Sequence, residues 1–240
     1  MKFFTKEWYL NSVASLICFD LKKSNKAQKF NEKYYNSLYS SQEKWFLKNR
    51  KLLAKQTHTE FDEEKTKLDF SNQCKENLDF VKASFPESLW SSMPDERLLA
   101  LGTADSDTLA AITHYCGELS KKCDKAQREY EDSCEILAEK IGWYPINSLE
   151  KLVNSPICSL DTDGSTVTIK TSPENTDLAC KVVLSVAKIT STDNVFSAYI
   201  LYPEILEDGD RFVLNLLCEG ENKELLEFSA EFQGIEIEDI

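Results

Sequence analysis

From the N-terminus to about residue 146, apolar residues recur at spacings of three and four, the period of an amphipathic helix. The clearest series predicts one long helix. Its apolar positions are Leu109, Ile112, Cys116, Leu119, Cys123, Tyr130, Cys134, Leu137 and Ile141. At about 100° per residue, Cys116 and Cys134 point the same way and Cys123 lies about 20° away. We therefore predict that these three thiols lie in the buried stripe of the helix.

Earlier segments show the same period. A first helix is predicted from a cap at Thr5 to about Asp20, with an apolar stripe of Leu10, Val13, Ala14, Ile17 and Leu21. A second is predicted from about Lys26 to Gln56. It carries two adjacent stripes, Phe30, Tyr34, Leu38, Trp45 and Leu52, and then Tyr35, Tyr39, Phe46 and Leu53. Because this combined stripe is wide and aromatic, we interpret it as core that packs against more than one neighbour.

The period changes to two from Ile157 onward. Alternation of apolar and polar residues predicts half-buried strands with an acidic outer face, most clearly over residues 165–171, 212–218, 226–232 and 235–238. Asp163-Gly164 and Asp208-Gly209 are typical of hairpin turns. Gly234 shifts the register between the last two strands, as a bulge or a tight bend does.

These patterns predict an α+β protein with an N-terminal helical region followed by a C-terminal antiparallel β-sheet or sandwich. We place the helical region at residues 1–146 and the β-rich region at residues 152–240. Strands that follow one another through short loops, with no helix between them, favour antiparallel pairing.

Charge is distributed unevenly over the 240 residues, whose formal net charge is −13. Residues 151–240 contain 6 Lys/Arg and 17 Asp/Glu, whereas residues 1–55 contain 12 and 4. The acidic β region would repel phosphates, so nucleic acid is a poor partner for it and a basic protein is the expected partner. We interpret the basic N-terminal helices as a solvated face, with anion or nucleic-acid binding as the weaker alternative.

No apolar run is long enough to cross a membrane, and the N-terminus lacks the pattern of a signal peptide. Eight cysteines occur without a Cys-X-X-Cys spacing. We therefore expect a cytoplasmic protein, with no membrane partner, whose thiols are reduced and structural. No cofactor or metal site is expected.

Catalytic motifs are scarce. His58 and His114 are the two histidines, and His114 is predicted to face away from the core stripe. The seven glycines are too dispersed for a phosphate-binding loop. Asp161-Thr162-Asp163-Gly164 departs from the spacing of a calcium loop and indicates a turn instead.

Three groups remain as candidate interface residues. Asp95 and Arg97 open a short predicted helix, in which Asp95 can cap and Arg97 can pair with a carboxylate. Tyr202 and Glu204 flank Pro203 in an extended segment typical of a sheet edge. The third group consists of the outward glutamates of the last strands, Glu227, Glu231 and Glu236.

Several of these stretches resemble an uncharacterised bacterial family, a domain of unknown function found mainly in spore-forming Gram-positive bacteria. The resemblance covers nearly the whole chain. It rests on the opening Met1-Lys2-Phe3-Phe4-Thr5-Lys6-Glu7-Trp8-Tyr9, on Asp95–Gly102 with Tyr115-Cys116, on Tyr202-X-Glu204-Ile205, on Leu225–Phe228 and on the acidic last strand. It implies a bacterial cytoplasmic protein and brings no activity, cofactor or catalytic residue with it.

Two hypotheses of function follow. The first is a non-enzymatic protein-binding module whose acidic β region steers a basic partner, as an inhibitory or immunity-like protein would. The alternative is a small hydrolase that uses carboxylates and a recruited divalent metal, because the chain is rich in Asp and Glu.

Overall fold

The computed structural model describes residues 1–172, 179–191 and 193–240. It confirms the predicted α+β class, because helices precede two antiparallel sheets. The α-helices in this part of the chain are α1 (Lys6–Asp20), α2 (Glu32–Gln56), α3 (Glu63–Ser84), α4 (Arg97–Ala100), α5 (Ser106–Ile141) and α6 (Trp143–Ser148). Short 3₁₀ turns occupy Asn25–Gln28, Glu87–Leu89 and Leu149–Leu152.

Ten strands are present within the same residues. They are β1 (Lys22–Lys23), β2 (Thr103–Ala104), β3 (Ile157–Asp163), β4 (Thr166–Thr171), β5 (Cys180–Ser185), β6 (Lys188–Ile189), β7 (Tyr199–Asp208), β8 (Arg211–Glu219), β9 (Leu225–Phe232) and β10 (Gly234–Asp239). Strands β1 and β2 form a short parallel pair. Sheet I has the order β10-β5-β4-β3, and sheet II has the order β6-β9-β8-β7.

The chain divides into two compact units. The helical unit is Leu10–Lys122, and the β unit combines Met1–Tyr9 with Cys123–Ile240. These limits differ from the predicted regions of residues 1–146 and 152–240, because the first nine residues and the second half of α5 are grouped with the strands. The reason is that the first nine residues and the second half of α5 pack on residues of the sheets, as described below.

The helical unit has its own apolar core, formed by α1, α3, α4 and the first half of α5. The largest members are Ile17, Leu21, Val81, Phe85, Met93, Leu98, Leu99, Ile112 and Leu119. Gly102 lets the chain turn sharply from α4 into β2, with φ +63°. A Cβ there would lie 2.9 Å from the carbonyl oxygen of Asp20, so a side chain does not fit.

Two sequence expectations about this unit are wrong. Leu10, assigned to the buried stripe of α1, is 56% exposed, although Ala14, Ile17 and Leu21 are buried as predicted. Helix α2 begins at Glu32 rather than Lys26, because the Asn31 side chain caps it. The predicted aromatic stripe of α2 is core only in part. Helix α2 contains no fully buried residue, but Tyr34, Tyr35 and Leu38 are partly buried against the core of the unit, whereas Phe30, Trp45, Leu52 and Leu53 are exposed.

The predicted phase of α5 is right. Cys116, Cys123 and Cys134 are all buried, and His114 is exposed. The N-terminus of α5 is capped by Asp105, whose carboxylate accepts hydrogen bonds from the backbone N–H groups of Asp107 and Thr108 and from the Thr108 hydroxyl.

The β unit has a single core to which both sheets contribute, together with the second half of α5, α6 and the turn after it. Its centre consists of Val167, Ile169, Val182, Leu184, Ile200, Ile205, Leu214, Leu216, Phe228, Ala230, Phe232 and Ile237. Alternate residues of each strand therefore point to this core, as the period of two predicts. Hairpins lie where the sequence predicts them, one residue later than the Asp-Gly pairs. Gly164-Ser165 connects β3 to β4 and Gly209-Asp210 connects β7 to β8, while Asp163 and Asp208 end their strands, and both glycines have positive φ.

One long antiparallel ribbon passes through both sheets. Strand β5 continues into β6, and β9 continues into β10, so that β5 pairs with β10 in sheet I and β6 pairs with β9 in sheet II. The bend falls at Gly234, the position where the sequence predicts a register shift. A Cβ on Gly234 would lie 2.5 Å from the Ser185 hydroxyl oxygen, so a larger residue at the bend would require the Ser185 side chain to rotate away.

Among the described residues, none of the helices combines the length and the apolar character needed to cross a membrane.

Candidate functional site

The candidate residue Glu204 is completely buried beneath the start of the chain. One carboxylate oxygen accepts hydrogen bonds from the Lys2 N–H at 2.7 Å and the Asn215 side-chain amide at 3.2 Å. The other accepts from the N–H groups of Phe3 at 3.1 Å and Phe4 at 3.2 Å. These four donors occupy the acceptor positions of the carboxylate, so no position remains for a proton taken from a substrate.

Tyr202, the other candidate on β7, belongs to the same contact. Its ring centroid lies 5.5 Å from that of Phe4, 4.7 Å from that of Trp8 and 6.2 Å from that of Tyr9. Tyr202, Glu204 and Asn215 lie on one face of sheet II, because Glu204 of β7 is paired with Asn215 of β8 and Tyr202 is two residues from Glu204 on the same strand. The first residues of the chain cover this face. Tyr202 and Glu204 therefore contact the chain's own N-terminal segment.

Asp95 and Arg97 form a network with α2. The Arg97 guanidinium donates two hydrogen bonds of 2.8 Å to the Asp95 carboxylate, which is 5% exposed as a residue. It donates two more, of 3.3 and 2.7 Å, to Glu32 at the start of α2. The guanidinium carbon lies 4.1 Å from the centroid of the Tyr35 ring.

This network is a structural clamp. The hydrogen bonds that Arg97 donates to Asp95 and then to Glu32 raise its pKa above its already high ordinary value. The N–H edges of the guanidinium pair with two carboxylates, and its planar face stacks on an aromatic ring. Asp95 and Arg97 thus connect α4 to α2 within the helical unit, and Asp95 is not available at the surface.

The three outward glutamates do not share one surface. Glu227 and Glu231 are half-buried on β9, on the face of sheet II that also carries Asn215. Glu231 lies 3.8 Å from the Arg211 guanidinium, and the Glu227 backbone N–H donates to the Asp193 carboxylate at 2.9 Å. Glu236 is exposed on β10 in sheet I, paired with Val183 of β5.

Glu236 belongs to the acidic-rimmed face, our name for the outer side of sheet I. Register across the four strands places its members on the side opposite the buried valines, leucines and isoleucines. The members are Ser159, Asp161 and Asp163 on β3, Thr166, Thr168 and Lys170 on β4, Lys181, Val183 and Ser185 on β5, and Glu236 and Glu238 on β10. The four carboxylates lie on the two edge strands. Between them lie small side chains and, at one end of the face, Lys170 and Lys181. Lys181 pairs with Glu238 at 3.3 Å at one end of the face.

A concave surface that the sequence analysis does not predict lies between α2 and α3. This aromatic–amide cleft has a volume of about 390 Å³. Its aromatic walls are Trp45, Phe46 and Phe70, and its polar lining includes Gln42, Gln73 and Asn77. One sequence feature points to the cleft: Trp45 follows Ser41 and Gln42 by one helical turn, which places an aromatic ring next to polar groups. The aromatic stripe of α2 as a whole nevertheless favours a core assignment.

The residues needed for metal or nucleophilic chemistry are dispersed. Of the eight cysteines, seven are buried or partly buried and Cys158 is exposed. Over residues 1–172, 179–191 and 193–240, no group of three or more His, Cys, Asp or Glu side chains is placed to hold a metal ion.

Comparison of the chain with protein-family models, with curated proteins and with solved structures yields no match.

Proposed function

We propose that the chain is a non-enzymatic protein-binding module that takes a basic protein on the acidic-rimmed face of its β unit. The observation that carries the proposal is the arrangement of this face: exposed carboxylates on both edge strands flank a strip of small side chains, and the lysines of the face, Lys170 and Lys181, lie together at one end of it. Asp161, Asp163 and Glu236 have no ion-pair partner among the described residues. Their charge is therefore open to cations on a partner.

The charge of the surrounding sequence supports the same partner. Residues 151–240 carry 11 more acidic than basic residues. An excess of one sign raises the rate at which an oppositely charged protein meets the surface, and like-charged proteins are repelled. The small side chains at the centre, Thr166, Thr168 and Ser185, allow a partner's backbone or side chains to approach the sheet closely.

The test is affinity capture from cell lysate with the wild type and two charge-matched variants. One variant reverses the face, with Asp161→Lys, Asp163→Lys and Glu236→Lys. The other makes the same charge change on exposed positions of α5, with Glu131→Lys, Glu135→Lys and Glu139→Lys. We expect a basic protein that is captured by the wild type and by the α5 variant, is lost with the face variant, and is released as salt rises.

Capture that both variants retain equally, or a specific partner that is itself acidic, contradicts the proposal. Thermal unfolding of the two variants is the folding control, because exposed substitutions of this kind change stability by less than about 0.5 kcal/mol each.

A further inference from the structure

A row of lysines runs along the exposed side of α2. At about 100° per residue, Lys33, Lys44, Lys48, Lys51 and Lys55 fall within an arc of about 60°. All five are exposed, and within the part of the chain that the structure describes none of them forms an ion pair. The two acidic residues of α2, Glu32 and Glu43, lie outside the arc, and Glu32 is paired with Arg97.

The spacing of the row suits a charged chain. Successive lysines from Lys44 to Lys55 are separated by three or four residues, or about 4.5–6 Å of helix rise. The row is therefore a linear strip of unpaired positive charge on a helix that contains no buried residue. Such a strip attracts a polyanion and displaces its counterions.

The aromatic–amide cleft adjoins this row. Trp45 lies about 60° from Lys48 around α2 and is 67% exposed. Across the cleft, the ring centroids of Phe46 and Phe70 are 5.5 Å apart. An exposed indole beside a row of cations is the combination on which nucleobases stack while their phosphates meet lysines.

The amides of the cleft can recognise the edges of a base. Gln42 uses its side-chain N–H to bond the Leu101 carbonyl at 2.8 Å, which fixes the side chain and leaves its amide oxygen as an acceptor. Gln73 and Asn77 enter the cleft from α3 and are exposed. Each amide offers both donors and acceptors, as the hydrogen-bonding edge of an unpaired base requires.

From these features we infer that the lysine row and the aromatic–amide cleft form a binding site for single-stranded nucleic acid. The inference takes up the nucleic-acid alternative given for the basic N-terminal helices. The expected repulsion of phosphates concerned the acidic β region, whereas the site is built from α2 and α3, with Ala100 of α4 in the lining of the cleft. It is independent of the proposed protein-binding face.

The cleft favours a single strand over the other polyanionic surfaces. A duplex keeps its bases stacked and presents no free base to Trp45. An anionic membrane is flat, and it would desolvate the amides of Gln42, Gln73 and Asn77 without giving them partners. We therefore make duplex and membrane binding outcomes of the test.

The experiment measures fluorescence anisotropy of labelled single-stranded DNA and RNA of about 15 nucleotides, a length typical of one such site. We expect binding at low salt. If all five lysines contact phosphates, the slope of log K against log salt is about −3.5, a loss of about 100-fold in affinity from 50 to 200 mM. The same titration uses duplex DNA and vesicles of mixed anionic and zwitterionic lipid.

Two variants separate the charges from the ring. The triple change Lys44→Gln, Lys48→Gln and Lys51→Gln should weaken binding and make the salt slope shallower by about 2. The change Trp45→Ala should weaken binding roughly tenfold at an unchanged slope, because stacking is lost while the charges remain. Matched controls are the triple change Lys121→Gln, Lys122→Gln and Lys125→Gln on α5, and Trp143→Ala at an exposed tryptophan of α6.

Circular dichroism and thermal unfolding of all variants check the fold, which should be unchanged because the altered side chains are exposed. The inference is overturned if neither single strand binds at 50 mM salt, or if the α2 variants bind as tightly as their controls. It is also overturned if duplex or anionic vesicles bind more tightly than the single strands.

Discussion

The Glu204 carboxylate accepts a hydrogen bond from the backbone N–H of Phe3 at 3.1 Å, across 201 positions of the sequence. Because the same carboxylate also receives the N–H groups of Lys2 and Phe4, three consecutive backbone groups are held by one buried side chain. Residues 2–4 are therefore held in place as part of the folded β unit.

Replacing Glu204 with Gln should lower the free energy of unfolding by about 2–4 kcal/mol. The substitution turns one carboxylate oxygen into an NH₂ group, which then faces the N–H donors that the oxygen had accepted from, in a buried site. Urea unfolding measures the loss, and amide exchange at Phe3 and Phe4 should quicken. Glu207→Gln, on the same strand but in an exposed pair with Lys140, should cost less than about 1 kcal/mol. Equal losses for the two variants would contradict the assigned role of Glu204.

Replacing Arg97 with Lys should cost about 1–3 kcal/mol although the charge is kept. An ammonium group cannot form two bidentate pairs and stack on Tyr35 at once. Chemical unfolding gives the loss, and Arg50→Lys is the control, because Arg50 is exposed and lies over the Phe46 ring without an ion pair among the described residues. An Arg97→Lys protein as stable as the control would show that the clamp contributes little.

Thiol labelling should be uneven across the cysteines. Burial raises the pKa of Cys218 to about 12 and is the main cause that raises the pKa of Cys116 to about 11. At pH 8 fewer than about one in a thousand of these thiols is a thiolate, the reactive form. A native labelling assay should show a fast phase from exposed Cys158 that Cys158→Ser removes, and eight thiols should react in denaturant. A fast phase that survives the substitution would contradict this assignment.

The cap of α5 should make stability depend on pH. Burial of Asp105 opposes its charged form, but the hydrogen bonds from the Thr108 backbone and hydroxyl and from the Asp107 backbone together outweigh it and lower the pKa of Asp105. A lowered pKa in the folded state stabilises the protein above the unfolded value of about 3.9, and this contribution is lost as pH falls through the folded pKa.

The measurement is urea unfolding of the wild type and Asp105→Asn between neutral and acidic pH. The advantage of the wild type at pH 7, about 1 kcal/mol because hydrogen bonds to a charged acceptor are stronger than those to a neutral amide, should shrink as pH falls below about 4. Asp107→Asn, exposed in the first turn of α5, controls for the loss of one carboxylate. An advantage that stays constant with pH would mean that the cap does not act through its charge.

The sequence predicts most reliably where local periodicity alone decides burial. In α5 the spacing of the apolar residues identifies the buried thiols, and in β9 the alternation identifies Phe228, Ala230 and Phe232 as core. Each of these elements has one covered side, and the positions on that side follow from helix or strand geometry.

Where the packing of another element decides whether a residue is buried, periodicity is not enough to predict its burial. The aromatic stripe of α2 has the pattern of a core helix, but no residue of α2 is fully buried. Its first turns pack partly against the core of the helical unit, and farther along the cleft beside Trp45 stays open. Glu204 shows the opposite case. Its alternation on β7 is compatible with solvent exposure, and the groups that bury it come from residues 2–4, which no local pattern connects to β7.

The strand ribbon that passes from sheet I to sheet II at Gly234 restricts how the length of this chain can vary during evolution. A one-residue insertion in β9 would turn its side chains to the other face. Because β9 runs directly into β10, the same insertion would also displace the pairing of β10 with β5. Gains and losses of residues should therefore be confined to the turns, such as Gly164-Ser165, Gly209-Asp210 and the segment from Gly220 to Glu224.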